Sequence, residues 1–363
     1  MNRCFPQLQI DLKKIYSNTI QTVSRCRELG INVCGVIKGC SGSPEIARIM
    51  SDAGVYQLGT SRLEHIHKCK EKGINTPFLL VRVPAMSEIP DVVELCDYSL
   101  ESEMYTVKAI EKECAEKKLC HKIVMMVDLG DLREGYWNKN HFIDDCITIE
   151  REYDHIILSG IGVNLGCYGA IKPTIKKMEE LSNIALSIEC EIHRPLEIIS
   201  GGATTSFPLI HDGVMPNRIN HLRIGDNILL SRGLQTNWKI PDMDYLDMTA
   251  FEIRAEVVEM KEKPSYPQGE FAFNAYGKLP QYKDIGIRKR ALIALGNADV
   301  GEVKELVPID SGITIVGGSS DYMIIDVTDC SHEVRVGDIV SFYPRYINML
   351  SMTCSQNVKI LYI

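Results

Sequence analysis

The sequence predicts an α/β fold in which a parallel (β/α)8 barrel of the TIM type is joined to a C-terminal, mostly antiparallel β-domain. Two observations carry this prediction. In the first two thirds of the chain, short β-branched runs alternate with amphipathic helical stretches, whereas beyond Trp238 short β-type runs follow one another between turn residues. A chain of 363 residues has room for both units. We expect the barrel to cover residues 10–235 and the β-domain to combine residues 1–9 with 236–363.

Eight candidate strands can be counted in the barrel region from their apolar, β-branched composition. They cover residues 31–36, 55–58, 78–83, 98–100, 123–127, 157–163, 196–199 and 221–224. The segments between them, such as 44–53, 103–117 and 174–188, place apolar residues at helical spacing. Eight strand–helix alternations within about 200 residues are typical of a closed parallel barrel.

The C-terminal part of the chain has a different pattern. After the Pro- and Asp-containing segment LQTNWKIPDMDY come the runs FEIRAEVVEM, RALIALG, GITIVGG, YMIIDVTD, DIVSFY and NVKILYI. Turn residues separate these runs and no helix-length period intervenes, which predicts a β-domain that begins near residue 236. The extended segment before Asp11 is expected to join it.

Composition excludes several classes of function. The net charge is −8 and no concentrated basic surface is visible, so we expect no nucleic-acid partner. The N-terminus MNRCFPQLQIDLKKIYSN carries early charges, and no apolar window approaches the length of a membrane span, which predicts a cytoplasmic protein without membrane contact. Thirteen scattered cysteines without a C-x-x-C pair favour reduced thiols and no metal site.

The candidate site lies where barrel strands end, because barrel active sites form at the C-terminal ends of the strands. Lys38 follows the first predicted strand directly, after two apolar residues. Partial burial would lower the pKa of its amine and free it for imine chemistry, whereas the alternative is a solvated loop lysine. After the seventh and eighth strands come the loops SGGATTS and RIGDN, where glycine backbone and hydroxyl groups suit a phosphate.

Two arginines stand beside these loops. Arg133 and Arg223 are candidates for contacts to an anionic or aromatic cofactor. The alternative for either arginine is a structural ion pair with Asp131, Glu134 or Asp226. An imine lysine, a phosphate loop and flanking arginines together fit pyridoxal 5′-phosphate (PLP) better than a metal or a nucleotide. The residues expected to bind this cofactor are Lys38, Arg133, Gly202, Thr204, Thr205, Arg223, Gly225 and Asp226.

Segments along the whole chain carry a family likeness. Among them are VCGVIKGCSGSPEIARIMSDAGV, VDLGDLREGYW, GVNLGCYGAIKPT, LEIISGGATTS, INHLRIGDNILLSR, GIRKRALIALGNADV and VGGSSDYMIIDVTD. The chain resembles the alanine racemase-like, fold-type III PLP enzymes, and most closely their ornithine racemase branch. The resemblance implies that Lys38 forms the imine, that Arg133 lies near the cofactor's phenolic oxygen and the substrate carboxylate, and that Arg223 faces the pyridine nitrogen. It also implies a homodimer in which the β-domain completes the partner's site.

The chain departs from this family at the second catalytic base. Where alanine racemases have a tyrosine in the C-terminal domain this sequence has Asn297, and the histidine that supports the tyrosine is replaced by Asn164. An amide cannot take a proton. Candidates for the base on the opposite face are Cys167, Tyr168, Asp321 and Tyr322. Residues expected to contact the substrate are Arg133, Asn297, Asp299, Ser320 and Tyr322.

The function predicted from these residues is racemisation of ornithine or a related basic amino acid, by removal of the α-proton from the imine between substrate and cofactor. Lys38 would serve one face, and Asp299 or Asp321 would hold the distal ammonium group. Four alternatives stay open: an alanine or broad-spectrum racemase, a fold-type III decarboxylase, a PLP-binding protein without turnover, and a lysine-imine aldolase that uses no PLP. Gas release would indicate the decarboxylase, and an absorbance spectrum without PLP would indicate the aldolase.

Overall fold

The computed structural model describes residues 5–273, 277, 279 and 281–363, so residues 1–4 of the predicted N-terminal segment lie outside it. The chain divides into two units, Lys13–Asp247 and the described part of Met1–Leu12 with Met248–Ile363. The strands are β1 (Gln7–Ile10), β2 (Asn32–Val36), β3 (Gln57–Thr60), β4 (Phe78–Leu80), β5 (Tyr98–Glu101), β6 (His121–Met126), β7 (Ile156–Gly162), β8 (Ile198–Ala203), β9 (His221–Ile224), β10 (Phe251–Pro264), β11 (Ile287–Ile293), β12 (Val307–Pro308), β13 (Thr314–Gly318), β14 (Met323–Asp326), β15 (Ile339–Tyr343) and β16 (Lys359–Tyr362). The α-helices are α1 (Leu12–Glu28), α2 (Pro44–Asp52), α3 (Leu63–Glu71), α4 (Ile89–Leu95), α5 (Met104–Lys117), α6 (Lys139–Glu152), α7 (Ile175–Ile192), α8 (Phe207–His211), α9 (Asp226–Leu229), α10 (Asn297–Val300) and α11 (Tyr346–Cys354).

Strands β2 to β9 form a closed barrel in chain order, and every neighbouring pair is parallel. The pairing of β2 with β9 closes the barrel. The predicted barrel is confirmed, and each of the eight predicted runs overlaps one of its strands. The interior holds a cluster of apolar side chains from five of the strands: Cys34, Val36, Leu79, Tyr98, Leu100, Val124, Met126 and Ile198.

Three helices of this unit, α2, α6 and α7, begin at side-chain caps that the sequence supplies. Ser43 accepts a hydrogen bond from the N–H of Ile46 at the start of α2, and Pro44 occupies the first helical position. Asn138 caps α6 and Thr174 caps α7 in the same way. Each such cap stabilises its helix by about 1 kcal/mol, so the helix starts, and with them the loops that follow the strands, are fixed locally.

As predicted, the second unit is a mostly antiparallel β-domain, and its described residues form a sheet of eight strands. Its main order is β12-β15-β10-β11-β14-β13, with β1 paired to β10 and β16 paired in parallel to β1. The long strand β10 pairs with both β15 and β11, with a register shift between Val257 and Glu259. The sequence shows no helix-length period in this region, but the structure has the nine-residue helix α11 there, which buries Asn348, Met349 and Met352.

None of the described helices combines the length with the hydropathy that crossing a bilayer requires.

Candidate functional site

Lys38 opens a tight turn at the C-terminal end of β2. A 3-10 turn covers Lys38–Cys40, and Ser41 and Gly42 then take left-handed backbone conformations with φ of 50° and 62°. The N–H of Gly42 donates to the carbonyl of Ile37 at 3.1 Å. A Cβ on Gly42 would lie 2.3 Å from the Cβ of His65, so only glycine fits against that neighbour. The turn is therefore rigid at the point where Lys38 leaves the barrel.

The lysine is half-buried and has two cationic neighbours. Burial lowers the pKa of the Lys38 amine, and the positive charges of Arg133 and Arg223 lower it further, against the opposing influence of Cys167 and Glu134. Because a lowered pKa increases the fraction of free amine, this lysine is better suited to imine formation than a solvated one. The electrostatic influence of both arginines and Cys167 on Lys38 indicates that these four side chains lie near one another at one end of the barrel.

Arg223 lies almost entirely inside the barrel, with 5% of its surface exposed. Its Nη1 donates to the Ser200 hydroxyl at 2.5 Å and its Nη2 donates to the carbonyl of Val163 at 2.9 Å. Both acceptors are uncharged, so the structural ion pair considered from the sequence does not form at these two contacts. Burial lowers the pKa of Arg223. The guanidinium keeps its charge available to a ligand.

Arg133 is arranged differently, because it forms an ion pair with its neighbour in the chain. Its Nε and Nη2 donate to the two carboxylate oxygens of Glu134, and the Nη2–Oε1 distance is 2.6 Å. A fork of this kind fixes the plane of the guanidinium. From the sequence, Glu134 was one of three possible ion-pair partners of the two arginines, and in the structure it pairs with Arg133.

The loop after β7 is held by one buried carboxylate. Asp131 accepts hydrogen bonds from the N–H groups of Gly166, Cys167, Tyr168 and Ile171, at 2.9 to 3.3 Å. Burial acts to raise the pKa of Asp131, but these four donors outweigh it and lower the pKa. This role of Asp131 was not predictable from the sequence, since the residues that the carboxylate holds lie more than thirty positions away.

This loop presents Cys167 beside Asn164. The Cys167 thiol donates to the Asn164 side-chain oxygen at 3.2 Å. Asn164 is buried, and its Nδ2 has no hydrogen-bond partner within the part of the chain that the structure describes. An unused buried donor at the barrel end is a group that a ligand can satisfy.

The two predicted phosphate loops lie next to each other. Gly202 has φ of 109°, and Thr204 accepts a hydrogen bond from the Asn227 N–H at 3.4 Å, which links the loop after β8 to the start of α9. Burial raises the pKa of Asp226 to about 6. The Thr205 hydroxyl donates to the Leu165 carbonyl at 2.7 Å, so its hydrogen is not available to a phosphate. Gly225 packs closely on β2, where a Cβ would lie 2.9 Å from the Val36 oxygen.

The remaining predicted residues belong to the β-domain unit, where two segments bring them together. They are Asn297, Asp299, Ser320, Asp321 and Tyr322. The N–H of Asn297 donates to the Ser319 carbonyl at 2.9 Å, and that of Ala298 donates to the Ser320 carbonyl at 3.0 Å. Asp299 is buried and accepts from the Gly296 N–H at 3.1 Å.

The side chains of this group differ in how far they are already engaged. The Asn297 side-chain oxygen accepts from the N–H of Val303 at 3.0 Å, and the Ser320 hydroxyl donates to Asp321 at 2.5 Å. Tyr322 is exposed. Among the described residues, no group of three or more His, Cys, Asp or Glu side chains is arranged to hold a metal ion.

Comparison with known proteins gives consistent matches. The family model described as alanine racemase, N-terminal domain, matches residues 10–230. An ornithine racemase of Acetoanaerobium sticklandii is 36% identical over 355 residues, which is 98% of this chain and 99% of the relative. A lysine racemase of Thermotoga maritima is 37% identical over 358 residues, 99% of this chain and 98% of the relative.

Solved structures share the fold at low sequence identity. An alanine racemase from Streptomyces lavendulae superposes with a TM-score of 0.74 at 15% identity, covering 100% of this chain and 98% of that one. A D-threonine aldolase from Filomicrobium marinum also gives 0.74, at 13% identity, covering 96% of this chain and 89% of that one. At such identities the likeness establishes the two-unit fold and leaves the reaction to be argued from the site.

Proposed function

The chain belongs to the alanine racemase family, as its sequence predicted, and from that premise we propose that it is a PLP-dependent racemase of ornithine or a related basic amino acid. The full-length similarity to an ornithine racemase and a lysine racemase supports the substrate class. The observation that carries the reaction class is the half-buried Lys38 amine, whose pKa is lowered by burial and by two neighbouring arginines.

The donor set at the barrel end fits PLP. It combines an amine with a lowered pKa, a buried guanidinium with uncharged partners, an unused Asn164 donor and two adjoining glycine loops. Lys38 and Arg223 would contact the ring, and Gly202, Thr204, Gly225 and Asp226 would hold the phosphate. We assign the hydroxyl contact to Thr204 and a supporting role to Thr205. When bound, the cofactor supplies an aldehyde for the substrate amine and an electron-withdrawing ring that acidifies the α-hydrogen.

The chain's own groups then divide the work. Arg133, with its plane fixed by Glu134, would bind the substrate carboxylate. Arg223 would keep the ring nitrogen unprotonated, because a proton there would lie next to a guanidinium charge. Lys38 would take or give the α-proton on one face of the substrate, and we propose Cys167 for the opposite face. The thiol lies on the Asn164 amide, within electrostatic range of Lys38.

The β-domain residues are proposed to complete the site of a second chain in a homodimer. There Asn297, Ser320 and Tyr322 would contact the substrate, and Asp299 or Asp321 would face its distal ammonium, with Asp321 the alternative to Cys167 as second base. Sedimentation tests the dimer, since a monomer that retains full activity would contradict it. The cytoplasmic location expected from the sequence stays a prediction.

The test is replacement of Lys38. Lys38→Ala should abolish both the visible absorption of the protein–PLP imine and all racemisation, and Lys38→Arg should do the same, because a guanidinium keeps the charge but forms no imine. Lys176→Ala, which removes an exposed lysine on α7, is the control and should behave as the unaltered protein. A Lys38→Ala protein that keeps the imine band or its turnover refutes the assignment.

A chiral assay with ornithine, lysine and alanine defines the substrate. Loss of optical activity with the basic amino acids and no gas release is the expected result. Release of carbon dioxide would indicate a decarboxylase instead, and preference for alanine would overturn the substrate class. A protein that binds PLP but acts on none of the amino acids would be a carrier.

A further inference from the structure

Arg223 rests on a row of buried polar side chains inside the barrel. The row consists of Ser200 on β8, His221 on β9 and Gln57 on β3, and we call these three residues the support chain. Arg223 and His221 lie two residues apart on β9, so their side chains share one face of the strand. Gln57 has no exposed surface, and Ser200 and His221 are each 1% exposed.

The hydrogen bonds of the support chain have a definite direction. A guanidinium only donates, so the Ser200 oxygen accepts from Arg223 at 2.5 Å and its own hydrogen is left for Nδ1 of His221, 2.9 Å away. Nδ1 is then an acceptor, and the ring hydrogen lies on Nε2, where it donates to the Gln57 oxygen at 3.1 Å. This direction leaves one buried donor of the row, the Gln57 amide nitrogen, without a partner in the described part of the chain. Reversing it would turn the Gln57 amide over and leave two groups, the Ser200 hydrogen and the Gln57 oxygen, without partners in this row.

The charges around His221 favour the neutral ring. Burial lowers its pKa to about 3, and the charge of Arg223 acts in the same direction, while the charge of Glu197 opposes both. Ser200 and Gln57, which contact the ring directly, are uncharged. The support chain therefore carries no charge of its own. A carboxylate in its place would hold Arg223 as firmly but would offset the guanidinium charge.

We propose that the support chain is a positioning device that holds Arg223 toward the ring nitrogen of the cofactor while leaving the arginine's charge undiminished. The identity of the group that Arg223 meets rests on the proposed function, whereas the hydrogen-bond order does not. Ser200 is the contact point, and His221 and Gln57 act through it by fixing the direction of its hydroxyl hydrogen.

The hydrogen-bond order is tested on the full-length protein without cofactor, by nitrogen NMR after labelling of its nine histidines. The His221 signals are assigned by their loss in His221→Gln. We expect a pyridine-type Nδ1 and a pyrrole-type Nε2 that do not change between pH 5 and 9. The opposite tautomer, or titration in this range, would overturn the support chain.

The positioning role is tested on the holoenzyme with a matched pair of serine variants. Ser159 on β7 is also 1% exposed, and its hydroxyl has no partner among the residues described, so Ser159→Ala removes the same atom from an equally buried strand position. Ser200→Ala should weaken PLP binding about tenfold, the usual effect of a lost hydrogen bond to a charged group, and should raise conversion of the cofactor to its amine form per turnover. Ser159→Ala should leave both within about twofold.

The outcomes separate the two proposals. If the holoenzyme racemises its substrate and both serine variants behave alike, the positioning role is wrong and the proposed function stands. If the protein binds no PLP, the proposed function fails and with it the role of Arg223 toward the ring, while the NMR result still decides the hydrogen-bond order.

Discussion

Replacing Glu101 by glutamine should stabilise the protein at alkaline pH and leave it almost unchanged at pH 5. Glu101 ends β5 and has no exposed surface. One carboxyl oxygen accepts from the Ser99 hydroxyl at 2.6 Å, and the other has no hydrogen-bond partner in the described ranges. Burial raises the pKa of this carboxyl to about 8, since the charged form is removed from water without a cation to replace it.

The sign and size of the effect follow from proton linkage. An unfolded chain releases this proton near the ordinary pKa of 4.5, whereas the native state keeps it up to about 8. Between these values the native state binds more protons, so its stability falls as the pH rises, by about 1.4 kcal/mol for each pH unit. Above pH 8 the native state is therefore penalised by about 4–5 kcal/mol, a penalty that glutamine does not carry.

Thermal unfolding of both proteins at pH 5 and pH 9 measures this difference. A free-energy change of 1 kcal/mol moves the midpoint by about 2–4 °C in a domain of this size, so Glu101→Gln should raise the midpoint by about 8–20 °C at pH 9. Glu103→Gln removes an exposed carboxylate two residues away and is the control. If Glu101→Gln and the unaltered protein show parallel pH profiles, the carboxyl is not held neutral and the reasoning is refuted.

Two further substitutions test local features of the barrel unit. Asp131→Asn leaves one good acceptor oxygen for four N–H groups, so the loop that carries Cys167 should become more mobile. We expect kcat/KM to fall about 10- to 100-fold, with a far smaller change in the unfolding midpoint. Unchanged kinetics would contradict this prediction. Gly160→Ala places a Cβ 1.9 Å from the Ile198 carbonyl oxygen and should destabilise by more than about 3 kcal/mol in urea unfolding. Gly35→Ala, which meets a flexible side chain at 3.0 Å, should cost less, and equal losses would show that the backbone contact is not the cause.

The barrel was predictable because its strands are buried on both faces and read as short apolar runs. The predicted end of β8 at residue 199 was wrong, because the apolar run stops there and glycines follow it. In the structure the strand continues through Gly201 and Gly202 to Ala203. Helix α11 was missed because its nine residues are too short for a clear helical period and lie between β-type runs.

The site was predictable to the extent that it depends on strand ends. Lys38 and Arg223 come to one end of the barrel because parallel strands share their C-terminal edge. Their partners were not predictable, since they depend on side-chain directions across strands distant in sequence. His221 is 164 positions from Gln57, and nothing near either residue signals the hydrogen bond between them. In the sequence, Asp131 has no feature that distinguishes it from other loop aspartates, and only the structure shows the four N–H groups that donate to it.

The two departures from the family pattern have a common consequence. Inversion of a stereocentre needs proton transfer on opposite faces, and we propose Lys38 for one of them. By the resemblance, Asn297 and Asn164 stand where the family has a tyrosine and its supporting histidine, and a side-chain amide is too weak an acid and too weak a base to carry the proton. Asn297 instead accepts a backbone hydrogen bond within its own domain, and Asn164 accepts one from the Cys167 thiol. We therefore propose that the proton on the second face moves on a different ionisable group, for which Cys167 is in contact with one of the replaced positions.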